Sequence, residues 1–104
     1  MNTLPKISDL PLHDAVLHSV TLHWKEAKVE LYLSAFTAAG ESATPHKLVI
    51  MGVEEAMCPH FAPWGDSVCI NLAEEVSGTY RIEMQSGDVL TFKGKGLEFG
   101  KAAL

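Results

Sequence analysis

The chain has 104 residues, which suits one domain with a modest core and leaves no room for a second. Apolar residues make up 47% and charged residues 20%, values typical of a folded protein and not of a disordered one. The formal net charge of −5 comes without clustered Lys and Arg, which argues against a nucleic-acid surface. No stretch approaches the roughly 20 apolar residues that span a bilayer, and the N-terminus lacks the pattern of a secretion signal. We therefore expect a cytoplasmic protein that contacts neither nucleic acid nor membrane.

Apolar residues alternate with polar ones at period two along most of the chain, which predicts a mainly β protein. In the first alternating run the residues expected on the core face are Val16, His18, Val20, Leu22 and Trp24. A two-residue turn at 26–27 would pair Trp24 with Val29 and Leu22 with Leu31, apolar against apolar. Glu-Ala is poor chemistry for so tight a turn, so a longer loop is the alternative.

The middle of the chain is less regular. Residues 37–45 are small, polar and interrupted by Gly or Pro, which predicts a loop. Residues 46–53 predict a third strand that is apolar on both faces. Residues 54–64 predict an irregular crossing, with one helical turn at 54–58 that the following prolines prevent from extending.

Two further hairpins are expected in the second half. Residues 67–73 and 79–85 would pair antiparallel across a connection at 74–78. The facing pairs would be Val68 with Met84, Ile70 with Ile82, and Leu72 with Tyr80.

The last hairpin tests turn chemistry against hydrophobic register. A three-residue loop, Gln85-Ser86-Gly87, would set Ile82 against Leu90, with Gly87 in the left-handed position that such a loop requires. Tyr80 would then face Phe92. A short final strand is expected at 97–99.

The expected fold is an all-β domain of six or seven antiparallel strands, closed as a sandwich or as a partly open barrel. It would occupy residues 1–104 as a single domain, with loose termini at 1–8 and 100–104.

A cluster at one end of one sheet is the strongest candidate site that the pattern yields. The residues expected there are Trp64, Ser67, Gln85, Ser86 and Asp88. His13 and Asp14 form a polar pair that we expect near the same surface. A competing interpretation makes Trp64 a core aromatic that caps the open end of the sheet, with Ser67, Gln85 and Asp88 bonded to turn backbones.

Catalytic and metal motifs are weak in this chain. Cys58 and His60 form the tightest local group of metal-ligand types, but no CxxC or HExxH spacing accompanies them. Cys58 and Cys69 are expected to be free thiols. Ser67 is not part of a nucleophile elbow, since the segment around it leads into a strand. His18 is expected at the core or its rim, and His23 beside Glu30 as a cross-strand surface pair.

Two motifs carry a resemblance to a known family. Pro63-Trp64-Gly65-x-Ser67 and Met84-Gln85-Ser86-Gly87-Asp88, together with the early His13-Asp14, resemble a family of small, uncharacterised bacterial proteins. The resemblance covers most of the chain and implies a bacterial all-β protein, with no activity attached. That family commonly has a proline after its Trp-Gly, where this chain has Asp66. A more distant likeness, to β-rich immunity proteins of bacterial toxin systems, is based on size, acidity and the Trp-Gly-x-Ser strand entry.

The sequence favours a non-enzymatic interaction or binding module that needs no cofactor. Its partner would be another protein or a second copy of the chain. The alternative is a small ligand- or metal-binding enzyme that uses the end of the sheet around Trp64, Ser67, Gln85 and Asp88.

Overall fold

The computed structural model describes residues 6–102. In that range the chain forms two four-stranded antiparallel sheets, in the orders β1-β2-β3-β8 and β4-β7-β6-β5, which are not closed into a barrel. The strands are β1 (Val16–His23), β2 (Lys28–Ala35), β3 (Thr44–Met51), β4 (Glu55–Met57), β5 (Ile70–Val76), β6 (Thr79–Met84), β7 (Val89–Lys93) and β8 (Gly96–Lys101). The predicted all-β antiparallel sandwich is confirmed. The described part has eight strands because β4 forms where a helical turn was expected.

Apolar side chains from both sheets form one core. Its largest fully buried members are Phe92, Ile7, Leu12, Leu31, Leu33, Leu48, Ile50, Ile70, Ile82 and Val29. Most come from alternate positions of the strands, as expected for sheets that each cover one face of the other.

The first hairpin forms with a different register from the predicted one. Leu22 faces Val29 and Val20 faces Leu31, because the turn spans residues 24–27 instead of two residues. The predicted pairing of Trp24 with Val29 is therefore wrong, and the Trp24 side chain is 88% exposed. A slip by two residues keeps apolar positions opposite each other, so the hydrophobic pattern alone could not distinguish the two registers.

A bulge in β1 changes the faces of that strand. His18 is the extra residue between Leu17 and Ser19 in the pairing with β2. As a result Leu17 packs against the core, whereas His18 is exposed and its Nε2 lies 2.8 Å from Oγ of Ser34. The expectation that His18 lies on the core face is wrong.

The outer face of the first hairpin does hold the predicted surface pair. Nε2 of His23 lies 3.3 Å from a carboxylate oxygen of Glu30. The cross-strand neighbours of these residues are Lys28 and Thr21, so the pair meets diagonally and not directly across the strands.

The β5–β6 pairing also differs from the prediction. Ser77 and Gly78 form a two-residue turn, and both have positive φ, 49° and 82°, as a type I′ turn requires. A bulge between Ile70 and Leu72 then sets Ile70 opposite Met84 and Leu72 opposite Glu83. The predicted connection and facing pairs are therefore wrong.

The last hairpin is as predicted. Ile82 faces Leu90 and Tyr80 faces Phe92, and Gly87 has a φ of +93°. The final strand, β8, is longer than expected and pairs with β3.

The two sheets are connected at one corner of the sandwich. Val16, at the start of β1, forms an isolated antiparallel bridge with Cys69, just before β5. Backbone N–H groups of Leu17 and Ile70 donate to the carbonyls of Val68 and Ala15, at 2.8 Å each. The corner places the entry to β5 beside the start of β1.

The expected loose termini lie partly outside the described residues. In the part of the termini that the structure describes, Ile7 is buried and belongs to a 3₁₀ helix, Ile7–Asp9, and Gly100 and Lys101 belong to β8. No helix in residues 6–102 is long and apolar enough to cross a membrane.

Candidate functional site

The connection from β4 to β5 lies at the centre of the candidate site. These strands are at opposite edges of their sheet, so the chain between them must cross the end of the sheet. We call residues 58–68 the crossing loop. It runs past the tight turn that joins β6 and β7.

Asp88 fixes the crossing loop to that turn. Its two carboxylate oxygens accept the backbone N–H groups of Phe61, at 2.8 Å, and Ala62, at 2.9 Å. The hydroxyl of Ser86 donates to the same carboxylate at 2.9 Å, and both Ser86 and Asp88 are buried. The carboxylate thus substitutes for backbone partners that this irregular segment lacks.

These hydrogen bonds stabilise the ionised form of Asp88. The Phe61 N–H is the main cause of a lowered Asp88 pKa; burial opposes it, and the Ala62 N–H, the Ser86 hydroxyl and nearby His60 add to the lowering. A carboxylate with a lowered pKa and this many donors is a poor general base. Asp88 is therefore a structural anchor of the loop.

Trp64 is attached by its backbone and exposes its side chain. Its N–H donates to the carbonyl of Ser86 at 2.9 Å, and its indole lies against Gly87. The side chain remains 69% exposed, and that of Phe61 is 82% exposed. The interpretation of Trp64 as a core aromatic is wrong, whereas the turn bonding expected for Asp88 is present.

The remaining predicted site residues lie nearby and are also bonded. The side-chain amide of Gln85 donates to the carboxylate of Asp14 at 2.6 Å. Nδ1–H of His13 donates to the carbonyl of Asn71 at 2.6 Å, and Ser67 Oγ accepts the N–H of Cys69 at 3.2 Å. Asp14 and His13 are exposed on their side chains.

The predicted site residues lie close together in the structure, although the β5–β6 register predicted for them is wrong. It depends on the turn after β6 and on the entry to β5, which meet through the bond from the Gln85 N–H to the Cys69 carbonyl at 2.9 Å. The sequence motifs therefore located the turn after β6 and the entry to β5 correctly, although β5 and β6 pair in a register that differs from the predicted one.

A cleft of about 280 Å³ lies beside the crossing loop. The residues that line it are Leu17, His18, Ser19, Val20, Cys58, Pro59, His60, Ser67, Val68, Met84, Ser86, Asp88 and Leu90. The sequence did not predict that His18 lines the cleft, because its imidazole reaches the cleft through the bulge in β1. A bulge leaves no pattern in an otherwise regular alternation.

The lining of the cleft includes side chains of catalytic types, namely His18, His60, Cys58, Ser67 and Asp88. Partial desolvation raises the pKa of the Cys58 thiol, although the residue is exposed. Both Cys58 and Cys69 are free thiols. Within residues 6–102, no three His, Cys, Asp or Glu side chains are grouped so that they could hold a metal ion.

Comparison with protein-family models, with curated proteins and with solved structures finds no match for this chain.

Proposed function

We propose that this protein is a non-enzymatic protein-interaction module whose binding surface is the crossing loop. The observation that carries the proposal is the contrast between the backbone and the side chains of the loop. Asp88 holds the backbone at Phe61 and Ala62, while the Phe61 and Trp64 side chains stay exposed.

This contrast favours binding on energetic grounds. Large exposed aromatic side chains gain free energy when a partner covers them, and aromatic residues dominate the binding energy of many interfaces. A loop that is already fixed loses little conformational entropy on association. The hydrogen bonds of the loop backbone to the Asp88 carboxylate and to the Ser86 carbonyl therefore prepare Phe61 and Trp64 for a partner.

The enzyme alternative has less support. Asp88, Ser67 and Gln85 each have a partner within the fold, as described above. The cleft nevertheless favours a second candidate, a small-ligand site, because it is concave and presents His18 and His60 beside apolar side chains. That candidate predicts a discrete small-mass adduct on protein purified gently from its own cells.

Site-specific photocrosslinking tests the interaction surface. A photoreactive amino acid would replace Phe61 in one version of the protein and Trp24 in another. Trp24 is a matched control because it is also exposed and lies in the turn between β1 and β2, outside the crossing loop. We expect one discrete crosslinked protein from position 61 and none from position 24. Equal crosslinking at both positions, or none at 61, contradicts the proposal.

The corresponding loss-of-binding variant should keep its fold. Phe61→Ser combined with Trp64→Ser removes little buried area, so we expect a stability loss of about 1 kcal/mol. Circular dichroism and thermal unfolding check this before any binding result is interpreted.

A further inference from the structure

The charge of the chain is distributed very unevenly along the sequence. Residues 48–80 contain no Lys or Arg, and their carboxylates are Glu54, Glu55, Asp66, Glu74 and Glu75. The rest of the chain has eight Asp or Glu and eight Lys or Arg, so the formal net charge of −5 belongs entirely to residues 48–80. The crossing loop lies within this anionic segment.

The exposed apolar side chains follow the same division. Ten large apolar side chains are exposed in the described part of the chain, and six of them fall within residues 48–80. These six are Met57, Phe61, Trp64, Val68, Leu72 and Val76. Three of them, Phe61, Trp64 and Val68, are in the crossing loop itself.

Two of the five carboxylates of the anionic segment are paired with Lys or Arg, and both lie outside the crossing loop. Lys93, the last residue of β7, and Lys95 lie 3.9 Å from carboxylate oxygens of Glu54, and Arg81 on β6 pairs with Glu74 on β5. Among the described side chains, Asp66 in the crossing loop is exposed and has no ion-pair partner. Asp14, near the same turn, is paired only with His13, at 3.6 Å.

We propose that the partner of the crossing loop is a protein segment that combines Lys or Arg with aromatic or aliphatic side chains. This inference rests on the proposed function and specifies its partner. The apolar side chains of the partner would cover Phe61 and Trp64 and supply most of the affinity. Its cations would lie against the carboxylates of Asp66 and Asp14, which speeds association and disfavours acidic partners. An anionic lipid surface or nucleic acid would be repelled by the same charge.

Selection from a random peptide library displayed on phage tests the composition of the partner. The full chain is immobilised, and the enriched peptides are synthesised and their affinities measured. We expect the enriched peptides to contain Lys or Arg together with Trp, Phe, Leu or Ile. Their affinity should fall about tenfold between low and high salt, because the ionic contribution is screened.

Charge reversal within the loop separates this inference from the proposed function. Asp66→Lys should lower the affinity of the protein for the selected peptides about three- to tenfold, since it places a like charge beside the peptide cations. Glu98→Lys on β8 is the matched control, with the same charge change on an exposed residue of the other sheet, and should have little effect. The variant with Phe61→Ser and Trp64→Ser should abolish binding.

The outcomes distinguish the two proposals. Peptides that need Phe61 and Trp64 but show no basic enrichment, or that bind equally well to the Asp66→Lys protein, overturn the inference about charge and leave the interaction surface standing. Binding that is unaffected by loss of Phe61 and Trp64, or no enrichment at all, overturns both.

Discussion

Gly87 shows how one residue can meet two separate requirements. Turn chemistry predicted its left-handed conformation, and its φ of +93° confirms it. The structure adds a steric requirement, because a Cβ at this position would lie 2.6 Å from Cδ2 of Trp64 and 2.9 Å from Cγ of Pro63. The first requirement is local and could be predicted from the sequence. The second depends on a contact between distant segments, which no local pattern contains.

Gly87→Ala should therefore be more destabilising than the same change at another turn glycine. We expect a loss of about 2–4 kcal/mol, from a backbone penalty of about 1–2 kcal/mol and a further cost of overpacking. Gly78→Ala is the matched control, since Gly78 has a φ of +82° and nothing within 4 Å of its Cβ position; it should cost about 1–2 kcal/mol. Urea unfolding measures both values.

A double variant checks the steric part. Trp64→Ala should recover part of the stability that Gly87→Ala removes, because it takes away the nearest clashing atoms. If Gly87→Ala and Gly78→Ala lose equal stability, and Trp64→Ala restores none of it in the double variant, then a Cβ at position 87 does not clash with Trp64.

At the scale of elements, alternation predicted which segments are strands but not how all of them pair. The β1–β2 register differs by two residues, a shift that leaves the apolar faces matched. The β5–β6 register was missed because Ser77-Gly78 is itself the turn, and because of the bulge before Leu72. The β6–β7 hairpin was predicted correctly since loop length and hydrophobic pattern agreed there.

The crossing loop is the element that the sequence described least well. Its prolines ruled out a long helix, but β4 and the anchoring by Asp88 arise from contacts between residues far apart in the chain. The sequence predicted that Asp88 and Trp64 lie at the same end of the sheet. It did not predict that Asp88 is buried and the Trp64 side chain exposed.

The attachment of the loop should depend on pH through Asp88. Its pKa is lowered in the folded protein, so its contribution to stability is complete above the unfolded value of about 4. That contribution is lost as the pH falls through the folded pKa. Thermal unfolding between pH 6 and pH 2 should therefore show a steeper acid loss for the natural protein than for Asp88→Asn, which should be less stable at neutral pH.

Asp66→Asn is the control for this experiment. Asp66 is exposed and makes no side-chain hydrogen bond in the described structure, so its variant should follow the natural protein. If Asp88→Asn and Asp66→Asn give the same dependence on pH, the carboxylate of Asp88 does not hold the loop.

For the molecule as a whole, charge and exposed apolar side chains are unevenly distributed along the chain. The anionic segment at residues 48–80 contains β4, the crossing loop and β5, together with most of the exposed large apolar side chains. The remaining segments are balanced in charge. The net charge follows from the composition, whereas only the structure shows that the anionic segment contains an anchored loop with exposed aromatic side chains. On our proposal, this loop is where the protein binds another protein.

Native mass spectrometry of protein purified gently from its own cells tests that claim most directly. Three forms would be compared: the natural protein, the Phe61→Ser and Trp64→Ser variant, and Trp24→Ser as the control in which the other exposed tryptophan is replaced. We predict a stoichiometric complex with a second protein chain for the natural protein and for Trp24→Ser, and a bare chain for the loop variant. A bare chain in all three, or the same complex in all three, contradicts the assignment of the crossing loop as the binding surface.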